Sequence, residues 1–228
     1  MVTSKSSYRI LPYTACAIAL IALTIGIKVL VAFWGEKHLY ATPILGGVLK
    51  SLEIIELSNL LVFAILGLGI GAATTFLSAQ AGQRASAILL ILIVPLIFSA
   101  SYSTRYHLWV EQVAAENKVA FAQAEAITNA FLADESNSEG FIGFFLYTAK
   151  VPVLPIDAAE IKGLTGSEKR VRSELTRFSG VEPGFFVILF NLVGWGIRFF
   201  YILLSIITVA IYFHKGLTGT RSKSNQSG

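Results

Sequence analysis

Four stretches of this chain are too long and too apolar for an ordinary water-soluble domain: residues 10–34, 54–77, 85–102 and 185–213. Each reaches the roughly 17–25 residues a helix uses to cross the hydrocarbon core of a bilayer. Only 14% of the 228 residues are charged and the mean hydropathy is +0.68. Soluble domains carry about 25% charged residues, and here the deficit falls within the four runs. The expected fold is an all-α integral membrane protein. It has four transmembrane helices and a mainly helical extracytoplasmic insertion between the third and fourth. Residues 1–102 hold the N-terminal tail and three spans, 103–183 the insertion, and 184–228 the last span and a tail. The Ser/Asn/Gly-rich stretch after Gly219 is expected to be disordered.

Lys5 and Arg9 precede the first run in the manner of a signal peptide. The run is longer than the usual apolar region of about 7–15 residues and no small-x-small site follows, so it reads as a retained span. The single cysteine, Cys16, lies inside that run, which excludes an intrachain disulfide.

Charge sets the expected sidedness. The N-terminal tail, the turn at 78–84 and the C-terminal tail carry Lys5, Arg9, Arg84, Lys215, Arg221 and Lys223, with no acid. All 14 carboxylates fall around the first loop, up to the first turn of span two, or within 103–183. The positive-inside rule then puts both termini in the cytoplasm and the long loop outside. Lys169, Arg170, Arg172 and Arg177 run against this, but long loops translocate largely regardless of charge. A bacterial plasma membrane and a thylakoid-type membrane fit equally well. Basic residues do not interleave with aromatics as on a nucleic-acid-binding face, so nucleic acid is not an expected partner.

Within the spans, Gly67 and Gly71 form a GxxxG pair suited to close helix packing, and Pro95 is expected to kink span three. Beyond it, Val110, Val113, Ala120, Ala124, Ile127 and Phe131 recur at helical spacing, predicting one amphipathic helix over 105–134. The segment 141–156 is aromatic but interrupted by Lys150 and two prolines, and too short to span. It is expected on the membrane surface or packed under the amphipathic helix. Phe141, Phe144, Phe145 and Tyr147 would there make a partner-contact patch. Thr165 and Glu168 form a capping box opening a short helix over 166–178.

Arg198 is the sharpest candidate. It falls in the fourth run, where an arginine costs about 2.5–3.5 kcal/mol at the bilayer centre. With no carboxylate expected at that depth, it points to a partner subunit, an ion path or a lipid head group. The bland reading is snorkelling, or contact with carbonyls and hydroxyls such as Ser99 and Thr74. Lys28, Glu56 and Asn59 form an expected intramembrane polar set, structural or lining a path. Glu53, Glu56 and Asn59 at i, i+3, i+6 share a face, which suits an entering cation or simply the helix dipole. His107 and Glu111 are i, i+4, and His38 is near Glu36, but no HExxH or CxxC pattern supports a metal. No histidine pair lies at bilayer depth for a haem, and no GxSxG serine is present. No catalytic residue, metal or cofactor is therefore assigned.

The order of a small first loop, a short turn and a large loop before span four is similar to that of tetraspanins. The loop cysteines of that family are absent, so the likeness extends to topology and not to kinship. The function expected is a non-enzymatic accessory, scaffold or assembly subunit of a larger membrane complex, with other membrane subunits or a second copy as partners. The alternative is an oligomeric transporter or channel component whose path is lined by Lys28, Glu56, Asn59 and Arg198.

Overall fold

The computed structural model describes residues 4–40, 49–50, 52–151, 154–157, 161 and 183–226. The described residues are nearly all helical and contain no strand. Helix α1 (Ser4–Trp34) ends in one π-helical turn, Gly35–Leu39, closed by Tyr40 N–H donating to the Gly35 carbonyl at 2.8 Å. A 3₁₀ turn, Ile54–Leu57, leads into α2 (Ser58–Ala73). After a second 3₁₀ turn come α3 (Ala79–Asn117), α4 (Phe121–Ser136), α5 (Gly140–Thr148) and α6 (Pro183–Gln226). Among the described residues, four helical stretches are long and apolar enough to cross a membrane: Ile10–Leu39, Ile54–Phe76, Gln80–Asn117 and Leu192–Gly219. Pro95 lies inside the unbroken α3. At 39 residues, α3 is ~58 Å long, about twice the thickness of a hydrocarbon core.

The chain divides into two compact units. The first comprises Met1–Val31, Ile55–Ser101 and Phe200–Gly228. In it α2 is the central helix, with Val62, Phe63, Leu66 and Ile70 fully buried. Glycine sets the approach of its neighbours. A Cβ on Gly67 would stand 2.6 Å from the Val209 carbonyl oxygen, one on Gly71 would strike the Phe213 carbonyl, and one on Gly69 would meet Leu20 at 2.5 Å. The Gly67–Gly71 pair thus receives α6 of the same chain, in the small-residue mode of membrane helix packing. Leu11, Ile18, Leu30, Ile91, Leu92 and Leu203 point outward, while Ser86, Ser101, Thr24 and Ser205 are buried. Apolar outside and polar inside is the arrangement lipid selects, because hydrocarbon satisfies leucine and leaves hydroxyls to find protein partners. Tyr13 and Ser86 do so at 2.8 Å.

The second unit comprises Ala32–Ile54 and Tyr102–Phe199. Its core is Trp109, Val110 and Val113 of α3, Ala124, Phe131 and Leu132 of α4, Phe144 and Tyr147 of α5, and Ile161. The single helix expected over 105–134 is two helices. Lys118 takes a positive φ of 54° and Ala120 is extended, which turns the chain between α3 and α4. The ring centroids of Trp109 and Phe131 are 6.2 Å apart, whereas along a straight helix 22 residues would separate them by ~33 Å. Folding back lets both halves of one apolar stripe share one core. Trp109 Nε1–H donates to the Pro155 carbonyl at 2.7 Å, and Tyr106 OH donates to Asn129 at 2.7 Å.

For the aromatic segment the structure takes one of the two expected placements, and for the C-terminal tail it departs from the expectation. Within the aromatic segment 141–156, Phe144 and Tyr147 are core residues, with Tyr147 packed edge-on against Phe131 at 5.0 Å. They are interior because α5 packs against α4, while Ile142 on the other side of α5 stays exposed. The tail after Gly219, expected to be disordered, continues α6 to Gln226. Extending an existing helix fixes only one residue per added hydrogen bond, so polar residues suffice once nucleation has been met. The helix expected over 166–178 lies outside the described residues.

Candidate functional site

In the first unit, the 3₁₀ turn before α2 directs Glu56 inward, and Asn59 follows one turn later. Lys28 of α1 donates to Glu56 Oε2 and to Asn59 Oδ1, both at 2.8 Å. Asn59 Nδ2 donates to the same Glu56 oxygen at 3.0 Å, and Ser101 Oγ donates to Oε1 at 2.6 Å. Lys28, Glu56, Asn59 and Ser101 are all 0% exposed. One cation and one carboxylate make the cluster neutral, and both carboxylate oxygens have donors. Burial at this level is tolerated only with such pairing. Enclosed and saturated, the cluster locks α1, α2 and α3 together and presents no surface to a solute.

Arg198 belongs to the second unit and has a carboxylate partner, contrary to the expectation from depth. Its Nε and Nη2 donate to Glu53 Oε1 at 2.8 and 2.7 Å. Nη2 also donates to Thr148 Oγ1 at 2.8 Å, and Nη1 to the Phe145 carbonyl. The Thr148 hydroxyl is free to accept because it donates its own proton to the Phe144 carbonyl at 2.7 Å. Tyr102 OH donates to Glu53 Oε2 at 2.7 Å. The guanidinium lies over the rings of Phe145 and Tyr102, 4.3 and 4.9 Å from their centroids. Counting residues along the fourth run hid this pair, because α6 at this point packs within the second unit: a Cβ on Gly194, one turn before Arg198, would strike the Ala149 carbonyl. Glu53 precedes the helical turn with a positive φ of 47°, so it does not share the face that carries Glu56 and Asn59. Ser99 and Thr74, the hydroxyls considered for Arg198, donate to the backbone of Leu96 and Gly71.

A second ionic group in this unit went unnoticed in the sequence. The π-helical turn after α1 presents Glu36, whose Oε1 accepts from Arg105 Nε at 2.6 Å and whose Oε2 accepts from Lys50 Nζ at 3.4 Å. The Tyr40 ring lies 5.4 Å from the Arg105 guanidinium carbon and 5.8 Å from Lys50 Nζ. Burial lowers the Lys50 pKa from its ordinary value, opposed by Glu36 and assisted by Arg105. Alternating acids and bases from three elements leave no periodic signal. The only available hint was an excess of charge just outside the apolar runs.

Among the other candidates, Phe145 and Phe141 are half-buried and their rings stack at 6.4 Å. His107 pairs with Glu111 at 3.5 Å on an exposed surface, and His38 bonds the Trp34 carbonyl at 3.2 Å. Among the described residues no three His, Cys, Asp or Glu side chains are grouped to hold a metal. An open groove of about 440 Å³ lies along α4 between Ile127, Phe131 and Ile161, with Asp134 and Glu135 at its edge. The chain matches no family model, no curated protein and no solved structure.

Proposed function

We propose that this chain is a non-enzymatic accessory or assembly subunit of a larger membrane complex. The observation that carries this reading is the enclosure of Lys28 and Glu56, which sit at 0% exposure on mutual partners. A solute path needs charged groups that water or an ion can reach, and this pair offers none, so the transport reading loses its main support. Buried, saturated ion pairs instead hold helices in one arrangement, which suits a rigid platform. The proposed orientation has both termini in the cytoplasm and 103–183 outside, from the absence of acid in the three short basic segments. Of the aromatic segment, Ile142 is exposed and Phe141 and Phe145 are half-buried, and these are the side chains a partner would meet.

The test is native purification in mild detergent, with mass spectrometry of what co-purifies and Ile142→Cys crosslinking. A stable set of membrane subunits, crosslinked through position 142, is expected. Recovery of only monomers or a homo-oligomer, with solute flux in reconstituted vesicles, overturns the reading. Alkaline phosphatase fused at Asn137 and a fluorescent protein at Gly228 should both be active. A phosphatase active only at the C-terminus reverses the orientation.

A further inference from the structure

Among the described residues, the Glu36 group carries two cations for one carboxylate. Glu53 attracts Arg105 as well as pairing with Arg198, and Glu36 and Glu53 together still leave one positive charge over among Lys50, Arg105 and Arg198. The loop between Tyr40 and Lys50 holds no acid in its sequence. Arg105 is 2% exposed, and its Nη1 is a buried donor with no hydrogen-bond partner among the described residues. A guanidinium stays protonated, so this donor cannot be silenced by losing its proton. An unsatisfied charged donor inside a protein is costly, and its presence calls for an acceptor.

The position of the group says what that acceptor is. Glu36 lies two residues past the end of the first apolar run at 34, Lys50 four residues before the second begins at 54, and Arg105 three residues past the end of the third at 102. Three span ends thus bring their charges to one level, the boundary where head groups meet the hydrocarbon. Trp34, 58% exposed, and Tyr40 lie at the same level, as residues of an interfacial aromatic belt do. Lys50 is the open side of the group, at 19% exposure. Its 3.4 Å contact to Glu36 is longer than the about 2.7–2.9 Å of a charge-assisted bond, so the ammonium has donors to give.

From this we infer that Lys50 and Arg105 form a binding site for a phosphate group, entered past Lys50, whose natural occupant is the phosphodiester of an anionic lipid. A phosphodiester carries one negative charge, which matches the excess of one cation. Lysine and arginine hold phosphate oxygens by charge-assisted hydrogen bonds of this kind. Both cations flank the same carboxylate and the same Tyr40 ring.

The experiment uses the full chain, delipidated in a phosphate-free non-ionic detergent. Binding is read by native mass spectrometry and by thermal shift, with phosphatidylglycerol, phosphatidylcholine and inorganic phosphate as separate probes. Phosphatidylglycerol adducts are expected, with phosphatidylcholine at least about fivefold weaker and Lys50→Gln at least about fivefold weaker for phosphatidylglycerol. Displacement of the lipid by millimolar inorganic phosphate supports the site and assigns it to a free phosphate rather than a head group. Arg105→Gln should abolish binding. Because that variant also strips Glu36 of its shortest partner and so risks misfolding, Lys50→Gln decides the matter. Unchanged phosphatidylglycerol binding in Lys50→Gln overturns the inference. So does wild-type chain that binds neither phosphatidylglycerol nor inorganic phosphate above the phosphatidylcholine level.

Discussion

Glu53→Gln isolates the worth of the Arg198 pair. The substituted amide keeps an acceptor for the Tyr102 hydroxyl and nearly the same volume, so the change removes the charge and the two hydrogen bonds that Arg198 donates to Oε1. Arg198, 0% exposed, is then left with the Phe145 carbonyl and Thr148 as its partners. Removing one member of a buried ion pair costs about 3–5 kcal/mol, because the remaining charge is still desolvated. That is roughly two to four powers of ten in the unfolding equilibrium. Arg198→Met should cost less, since an orphaned carboxylic acid can neutralise itself with a proton and a guanidinium cannot. The double variant should recover most of the loss, falling about 1–2 kcal/mol below wild type for the Phe145 carbonyl left without its donor. Unfolding in mixed micelles of dodecyl maltoside with increasing sodium dodecyl sulfate gives these numbers. Tryptophan fluorescence is the natural probe, because Trp34, Trp109 and Trp195 all belong to the unit that contains the pair. A loss below about 1 kcal/mol for Glu53→Gln, or a double variant as damaged as the sum of the singles, would refute a strongly coupled buried pair.

Gly67→Ala places a methyl 2.6 Å from the Val209 carbonyl and should cost about 1–3 kcal/mol, whereas Gly26→Ala, with nothing within 4 Å, should be neutral or stabilising; melting temperatures of the two compare them directly. Trp109→Ala should lose about 3–5 kcal/mol and open the second unit to limited proteolysis before the first, since Trp109 packs against Phe131 and Phe144 and bonds Pro155. In a Cys16→Ser background, Ile142→Cys should react quickly with a water-soluble maleimide and Phe144→Cys slowly, following their 61% and 0% exposure; equal rates would contradict the packing of α5.

The four spans were readable from sequence because a helix in lipid satisfies its own backbone, so span length and apolarity are local properties. The contact of Lys28 with Glu56 and Asn59 was accessible for a similar reason. Their spans are consecutive in the chain, and both acceptors lie one turn apart at the start of the second. Gly67 and Gly71 announced a close helix approach by their spacing, but only the fold names α6 as the helix received. The break at 118–120 left no trace, since neither glycine nor proline marks it and the apolar period runs on through it. Tertiary structure decided it, because both halves of the stripe needed one core. Arg198 and Glu53, 145 residues apart, show the limit most clearly. Residue counting takes the whole apolar run as membrane span, whereas the part of α6 that carries Arg198 packs beside α5 in the second unit, and the partner the arginine meets depends on how distant segments pack. The Glu36, Lys50 and Arg105 group arises in the same way, from three span ends that only the folded chain brings to one carboxylate.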